Sequence, residues 1–236
     1  AGPVGSQMIV GVERAGSAPL TVTLTRAAAA QPVADTPLPA VAEPRPGVVY
    51  ADLRRMADSD LDSLLPRLAA AKGILFDLRG GTDVSTVLLS HLAERTALSS
   101  NWQVPVVMLP DHRGVKWLTT FWKIEPKAPR LRGRVAFLTD GRAIGYSETL
   151  LGMIENYRWA DVVGEPSGGD NGSINWSDLP GGWRVHWTGQ RVLKHDGSPL
   201  HGMGVKPTVP AARTLRGIAA GRDEMVERAV EVVAGG

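Results

Sequence analysis

Apolar side chains fall on every second position in two short runs near the start of the chain. Val10 and Val12 mark the first run (8–14), and Leu20, Val22 and Leu24 the second (20–26). A period of two with β-branched content predicts a hairpin turning at 15–19. Two strands alone are marginal in water, so this hairpin needs partners elsewhere. The pattern is then lost. Residues 27–46 are rich in Ala and Pro, with Pro32, Pro37, Pro39, Pro44 and Pro46, and read as a linker.

From residue 48 regular periods return. A strand is expected at 48–53. A helix is expected at 58–71, with Leu61, Leu64, Leu65 and Leu68 at helical spacing, Asp58 or Ser59 as its cap and Gly73 as its stop. The run 73–79 is apolar with a charged end, as in a buried central strand, and Gly80-Gly81 breaks it. A helix at 85–98, buried strands at 105–110 and 133–139, a helix at 147–156 and a strand at 161–164 follow. A hairpin of 184–188 with 190–193 and an amphipathic helix at 221–233 complete the expectation. Alternating strands and helices define an α/β class with a mostly parallel sheet and flanking helices.

Composition narrows the picture little. The 236 residues suffice for one large domain, or one domain and a remnant of a second. The net charge is +2, and the densest basic run, 129–134, reads as a solvated turn before a strand rather than a nucleic-acid patch. No apolar run is long enough to span a membrane. The start, Ala1-Gly2-Pro3, has no signal-peptide pattern. With no cysteine there is no disulfide framework, zinc-thiolate site or Cys nucleophile, and no spacing of His and carboxylates suggests a metal or other cofactor. Seven Trp stand against three Phe. Trp176, Trp183 and Trp187 could line a groove for a peptide or apolar ligand, although core packing explains such rings equally well. Of the five histidines, His195 and His201 flank Asp196 and are the better site candidates.

Chemistry is expected where strand ends meet helix starts. Two junctions stand out, Asp77-Leu78-Arg79-Gly80-Gly81 and the stretch from Leu138 to Glu148. Their glycines let backbone N–H groups approach a ligand, and a helix N-terminus adds partial positive charge. Together these could stabilise an oxyanion.

Five ordered blocks between Gly73 and Val209 resemble the S41 class of serine peptidases, the tail-specific, C-terminal-processing and tricorn-like enzymes. Ile74 to Gly81 is similar to the family's Asp-Leu-Arg-x-Asn-x-Gly-Gly segment, and Gly133 to Thr139 to the strand before its nucleophile. Arg142 to Glu148 sits at the Thr-Ala-Ser-Ala-Ser-Glu motif. Asp161 to Gly169 resembles Val-Val-Gly-Glu-Pro-Thr-x-Gly, and Asp196 to Pro207 the closing Asp-Gly-Ser…Gly-x-Gly-Val-x-Pro. The resemblance implies a crotonase/Clp-protease-like α/β fold, peptide or protein substrates and an extracytoplasmic setting. It divides the chain into the end of a PDZ-like domain (1–26), a linker (27–46) and a catalytic domain (47–236). Gly80, Gly81 and the Tyr146 amide would form the oxyanion hole.

The departures are as specific as the matches. The nucleophilic serine's position is held by Gly145, which has no side chain to attack with. A deliberately removed serine, a naturally non-catalytic relative and the use of Ser147 instead are three readings the residues leave open. The position of the tail-specific branch's Lys base is held by Asp170. The position of the tricorn-like branch's supporting Glu is held by His201, and that branch's base His would precede Ala1, supplied by another part of the protein. The resemblance thus implies an S41-type serine endopeptidase lacking its nucleophile, or a non-catalytic module on that fold binding peptide tails or apolar ligands.

Overall fold

A computed structural model describes residues 2–14, 16–28, 38–82 and 84–235. The chain divides into two compact units, one of residues 1–38 with 213–224 and one of 39–212 with 225–236.

In the first unit β1 (Gln7–Val12) pairs antiparallel with β2 (Leu20–Thr25), as the alternation predicts. The second unit starts with β3 (Val41–Arg45), which corrects the linker expectation for its last residues; residues 29–37 of that stretch lie outside the described ones. Pro44 is tolerated there because β3 is the last strand of its sheet and pairs only with β4 (Val48–Asp52). Helix α1 (Asp58–Ala70) follows. Its cap is Ala57 rather than Asp58 or Ser59, and Asp60 reaches back to accept the Ala57 amide at 2.8 Å. Strand β5 (Gly73–Asp77) comes next.

The expected helix at 85–98 shrinks to α2 (Val87–Ser90). The apolar period there is genuine, since Leu88, Leu89, Leu92 and Ala93 are all buried. The segment 127–131, however, captures the carbonyls that would continue the helix. Lys127 N–H donates to Ser90, Leu131 N–H to His91, and the Arg130 guanidinium to Leu92 and Ala93. The chain turns instead into β6 (Ala97–Leu98) and β7 (Asn101–Val106). The expected buried strand at 105–110 is therefore displaced, and Val107, Met108 and Leu109 are exposed. Strand β8 (Lys116–Thr120) pairs with β7, and β9 (Lys123–Ile124) with β6.

Strand β10 (Arg134–Thr139), helix α3 (Tyr146–Tyr157) and β11 (Asp161–Gly164) match expectation within a residue or two. The next hairpin does not. Strand β13 (Trp183–Thr188) pairs with β12 (Ile174–Leu179), and β14 (Arg191–Leu193) pairs with β7 instead. Gly181 and Gly182, at φ +88° and +77°, allow the β12–β13 turn that ordinary residues resist. The short β15 (Val209–Pro210), helix α4 (Leu215–Ala219) and helix α5 (Glu224–Ala234) complete the chain.

The central sheet has the order β15-β11-β10-β5-β4-β3, parallel throughout except for β3. One face, with Val49, Ile74, Phe76, Phe137 and Val162, packs against Leu61, Leu65 and Leu68 of α1 and Leu150, Leu151 and Ile154 of α3. Each such fully buried side chain stabilises the fold by about 1.5–3 kcal/mol. Phe76 and Phe137 oppose each other in register with ring centroids 5.1 Å apart. Because β4, β5 and β10 are buried on both faces, their carboxyl ends are held rigidly, and the loops leaving them inherit that order.

The sheet is tightest at Gly164, where an added Cβ would lie 2.1 Å from the Thr139 carbonyl oxygen and φ is +131°. Gly164→Ala should lower stability in urea unfolding by about 3 kcal/mol or more. Gly141→Ala, where no atom lies within 4 Å of the added Cβ, should stay within about 1 kcal/mol of the parent.

Candidate active site

Two neighbouring strands end in the same device. At the end of β5 the Asp77 carboxylate accepts from the Arg79 backbone N–H at 3.0 Å and from its guanidinium Nη2 at 2.6 Å. Just beyond β10, Asp140 takes the Arg142 N–H at 3.0 Å and Arg142 Nε at 3.0 Å. Each Asp-x-Arg fork closes its own turn, so both loops leave the sheet in a set direction. The Asp77–Arg79 pair is almost wholly buried, and Tyr50 Oη donates to Asp77 at 2.8 Å. Burial, reinforced by the adjacent Asp77 charge, pushes the Tyr50 phenol's pKa up, which keeps it protonated as a donor.

After the second fork the backbone turns sharply at Gly145, with φ +59° and ψ −117°, and α3 begins at the next residue. Among the described residues, no heavy atom beyond Gly145 and its two chain neighbours lies within 4 Å of a Cβ built there. A side chain there would project into open space, from a backbone that L-residues adopt only under strain. Strand, tight turn and helix start in succession are a setting in which a side chain is presented above a sheet.

What holds that turn is the last residue of the Arg142 to Glu148 segment. Glu148 is fully buried, and its carboxylate accepts three hydrogen bonds: Ser167 Oγ at 2.6 Å, Gly169 N–H at 2.7 Å and Asp170 N–H at 3.0 Å. An acid three residues past a helix cap ordinarily takes the cap's own amide. Here the Gly145 N–H donates instead to the Asp170 carbonyl at 2.7 Å, and Glu148 spends itself on the loop bearing that carbonyl. Ser167 Oγ in turn accepts the Val205 N–H at 2.8 Å, and Gly202 N–H donates to the Gly169 carbonyl. The loops 165–170 and 200–205 and the start of α3 are thereby joined. The visible signal was the position of Glu148 in the first helical turn; its partners, about twenty residues away, carried none.

The expected site residues fare differently. Gly80 and Tyr146 each present a backbone N–H with no acceptor among the described residues. The Gly81 N–H donates to the Leu78 carbonyl at 3.2 Å, which removes it from the expected oxyanion hole. Ser147 is 1 % exposed and its hydroxyl is buried, so it cannot reach a substrate in place of residue 145. His201 lies on the 200–205 loop beside Gly202 and so belongs to the joined loops. His195 does not: its Nε2 is 2.8 Å from the Leu98 carbonyl and its ring is set against Tyr157, the last residue of α3 and thus at the far end of that helix from Gly145. Trp183 and Trp187 share one face of the β12–β13 hairpin and Trp176 lies on the other, so the three cannot line one groove. Nearer the turn, Tyr146 is 5.3 Å from Trp122, which makes an edge contact with Trp102 at 4.3 Å. The Tyr146 hydroxyl accepts the Thr86 N–H. Among the described residues no cluster of His and carboxylates could hold a metal.

This chain belongs to peptidase family S41, whose model matches residues 47–211. The fold is shared with a protein of Parabacteroides merdae assigned as a peptidase, at 22% identity and a TM-score of 0.64, over 79% of this chain and 60% of that one. The photosystem II D1 C-terminal processing protease aligns at 18% identity and a TM-score of 0.54, over 89% of this chain and 57% of that protein. Mature CPAF aligns at 12% identity and a TM-score of 0.62, over 98% of this chain and 54% of its own. The chain thus spans little more than half the length of these structures. No curated protein matches it in sequence.

Removing the Glu148 carboxylate leaves the Gly169 and Asp170 amides and the Ser167 hydroxyl without their acceptor. Glu148→Ala should cost about 3 kcal/mol or more in urea unfolding. Hydrogen exchange at the Gly169 and Asp170 amides should accelerate. Glu148→Gln, which keeps one acceptor oxygen, should lose less on both measures.

Proposed function

We propose that the chain is the catalytic portion of an S41-type serine endopeptidase in which position 145 is the nucleophile's place, and that with Gly145 it holds peptide without cutting it. The observation that carries this reading is the backbone at Gly145, at a φ of +59° that would strain any residue with a side chain, with open space where that side chain would stand, next to the first amides of α3. With serine at 145, Oγ would attack the scissile carbonyl carbon while a base removes its proton. The resulting oxyanion would lie against the Gly80 and Tyr146 N–H groups, and the leaving amine would take the proton. Water would then hydrolyse the acyl-enzyme. Asp170 and His201, at the positions of the family's Lys and Glu, cannot repeat those roles; the resemblance to the tricorn-like branch implies a base histidine supplied by another part of the protein. Consistent with that, β1 and β2 are read as the closing strands of a PDZ-like domain, and the protein as one that works outside the cytoplasm. A non-catalytic peptide-binding module is favoured as the second reading by the three replaced positions, 145, 170 and 201.

Gly145→Ser tests the reading. Placing a Cβ at φ +59° should lower stability by about 1–3 kcal/mol. In the full-length protein the same substitution should confer casein cleavage and labelling by a serine-directed phosphonate. A folded Gly145→Ser protein that neither cleaves nor labels, alongside a parent that binds peptide, leaves the binding-module reading instead.

A further inference from the structure

Among the described residues the β12–β13 hairpin has no third strand. Its register places Leu179, Trp183, Val185 and Trp187 on one face and Ile174 and Trp176 on the other. Six of the twelve strand residues are therefore large and apolar, and all are exposed, Trp183 at 73 %. The charged residues of the two strands are Asp178 and Arg184. They oppose each other in register and join in a fork at 2.6 and 3.0 Å, with the guanidinium 4.4 Å from the centre of the Trp176 ring. The turn, Pro180-Gly181-Gly182, is uncharged.

We propose that this hairpin docks the protein on a lipid bilayer by inserting its tryptophans and aliphatic side chains into the interfacial layer. A protein partner, including a second copy of this chain, would cover one face of the ribbon. Here exposed apolar side chains stand on both faces, Leu179, Trp183, Val185 and Trp187 on one and Ile174 and Trp176 on the other beside the Asp178–Arg184 pair and His186, and immersion in the interfacial layer covers both sets at once. Pairing Asp178 with Arg184 lets the ribbon enter with little uncompensated charge. A two-stranded ribbon leaves the outward backbone groups of both strands unpaired, which excludes the hydrocarbon core and sets the depth at the interface, where water still reaches. Indole rings favour that depth, with an apolar body and an N–H that needs a partner. The base of the ribbon is tied down: Gly189 N–H donates to the Ser173 carbonyl, Ser173 N–H to Gln190 Oε1 at 2.9 Å, and Thr188 Oγ1 to Asp170 Oδ1 at 3.4 Å. The carbonyl of that same Asp170 accepts the Gly145 N–H. Docking would therefore hold the candidate site close to the membrane surface.

The test is co-sedimentation of the full chain with phosphatidylcholine vesicles, repeated in 1 M salt, where the Debye length is about 3 Å. Binding should persist in salt, and brominated lipid should quench tryptophan emission. W176S/W183S/W187S should lower vesicle partitioning at least about tenfold while keeping the parent's unfolding midpoint. Should the triple variant misfold, W183K, at the most exposed of the three, should weaken binding in the same direction. The proposal is overturned if the parent does not bind these vesicles, or if the folded variants bind as well as the parent. Binding that requires anionic lipid and vanishes in salt would also overturn it, by assigning attachment to surface cations. So would variants that change only self-association or peptide capture.

Discussion

A carboxylate buried without solvent is costly unless donors surround it, and Glu148 organises the candidate site because it meets that demand with backbone amides and a hydroxyl. Its position in the first turn of α3 adds the favourable end of the helix dipole. The donors come from Ser167, Gly169 and Asp170, so satisfying one charge also places a loop. That loop returns the constraint by offering the Asp170 carbonyl to the Gly145 N–H. The turn is thus held from both sides, by the helix after it and by the loop beside it. Close packing extends the arrangement. A Cβ on Gly204 would lie 2.4 Å from the Ser167 carbonyl oxygen, and one on Gly169 would lie 2.9 Å from the Gly202 nitrogen.

The same framework separates what the S41 architecture supplies from what the chemistry requires. The paired Asp-x-Arg forks, the turn at 145 and the helix start are held by contacts that need no side chain at 145. On the proposed reading the groups that would move protons are side chains, and positions 145, 170 and 201 carry Gly, Asp and His. The turn at 145 and the loops that Glu148 joins to it thus form a backbone cradle that does not depend on the residue type at 145. The β12–β13 ribbon grows from the Asp170 side of this cradle, so whatever the ribbon meets is brought to the site's edge.

Elements with strong local periods were legible from the sequence. Strands β5 and β10 are apolar runs of strand length bounded by glycine, and α1 carries leucines at helical spacing. Failures came where another segment claimed the same backbone groups. The period at 85–98 was helical, yet the carbonyls from Ser90 to Ala93 went to residues 127–131. Strand β13 lies beside β14 in sequence, but β12 and β7 are their partners. Alternation identifies a strand; it does not name the strand it pairs with.

At the site the division is similar. Residue types and their order placed Gly80, Gly145 and Tyr146 at strand-to-helix junctions, because a turn after a buried strand needs glycine wherever φ is positive. Sequence alone also determined that position 145 has no nucleophile, since that is a matter of covalent chemistry. Only the tertiary structure decided that the Gly81 amide is consumed in its own turn, that Ser147 is buried, that His195 lies at the other end of α3, and that Glu148 holds the cradle. Each of these depends on which polar group finds which partner across the fold, and a buried donor or acceptor takes the partner that packing brings to it, whatever the distance along the chain.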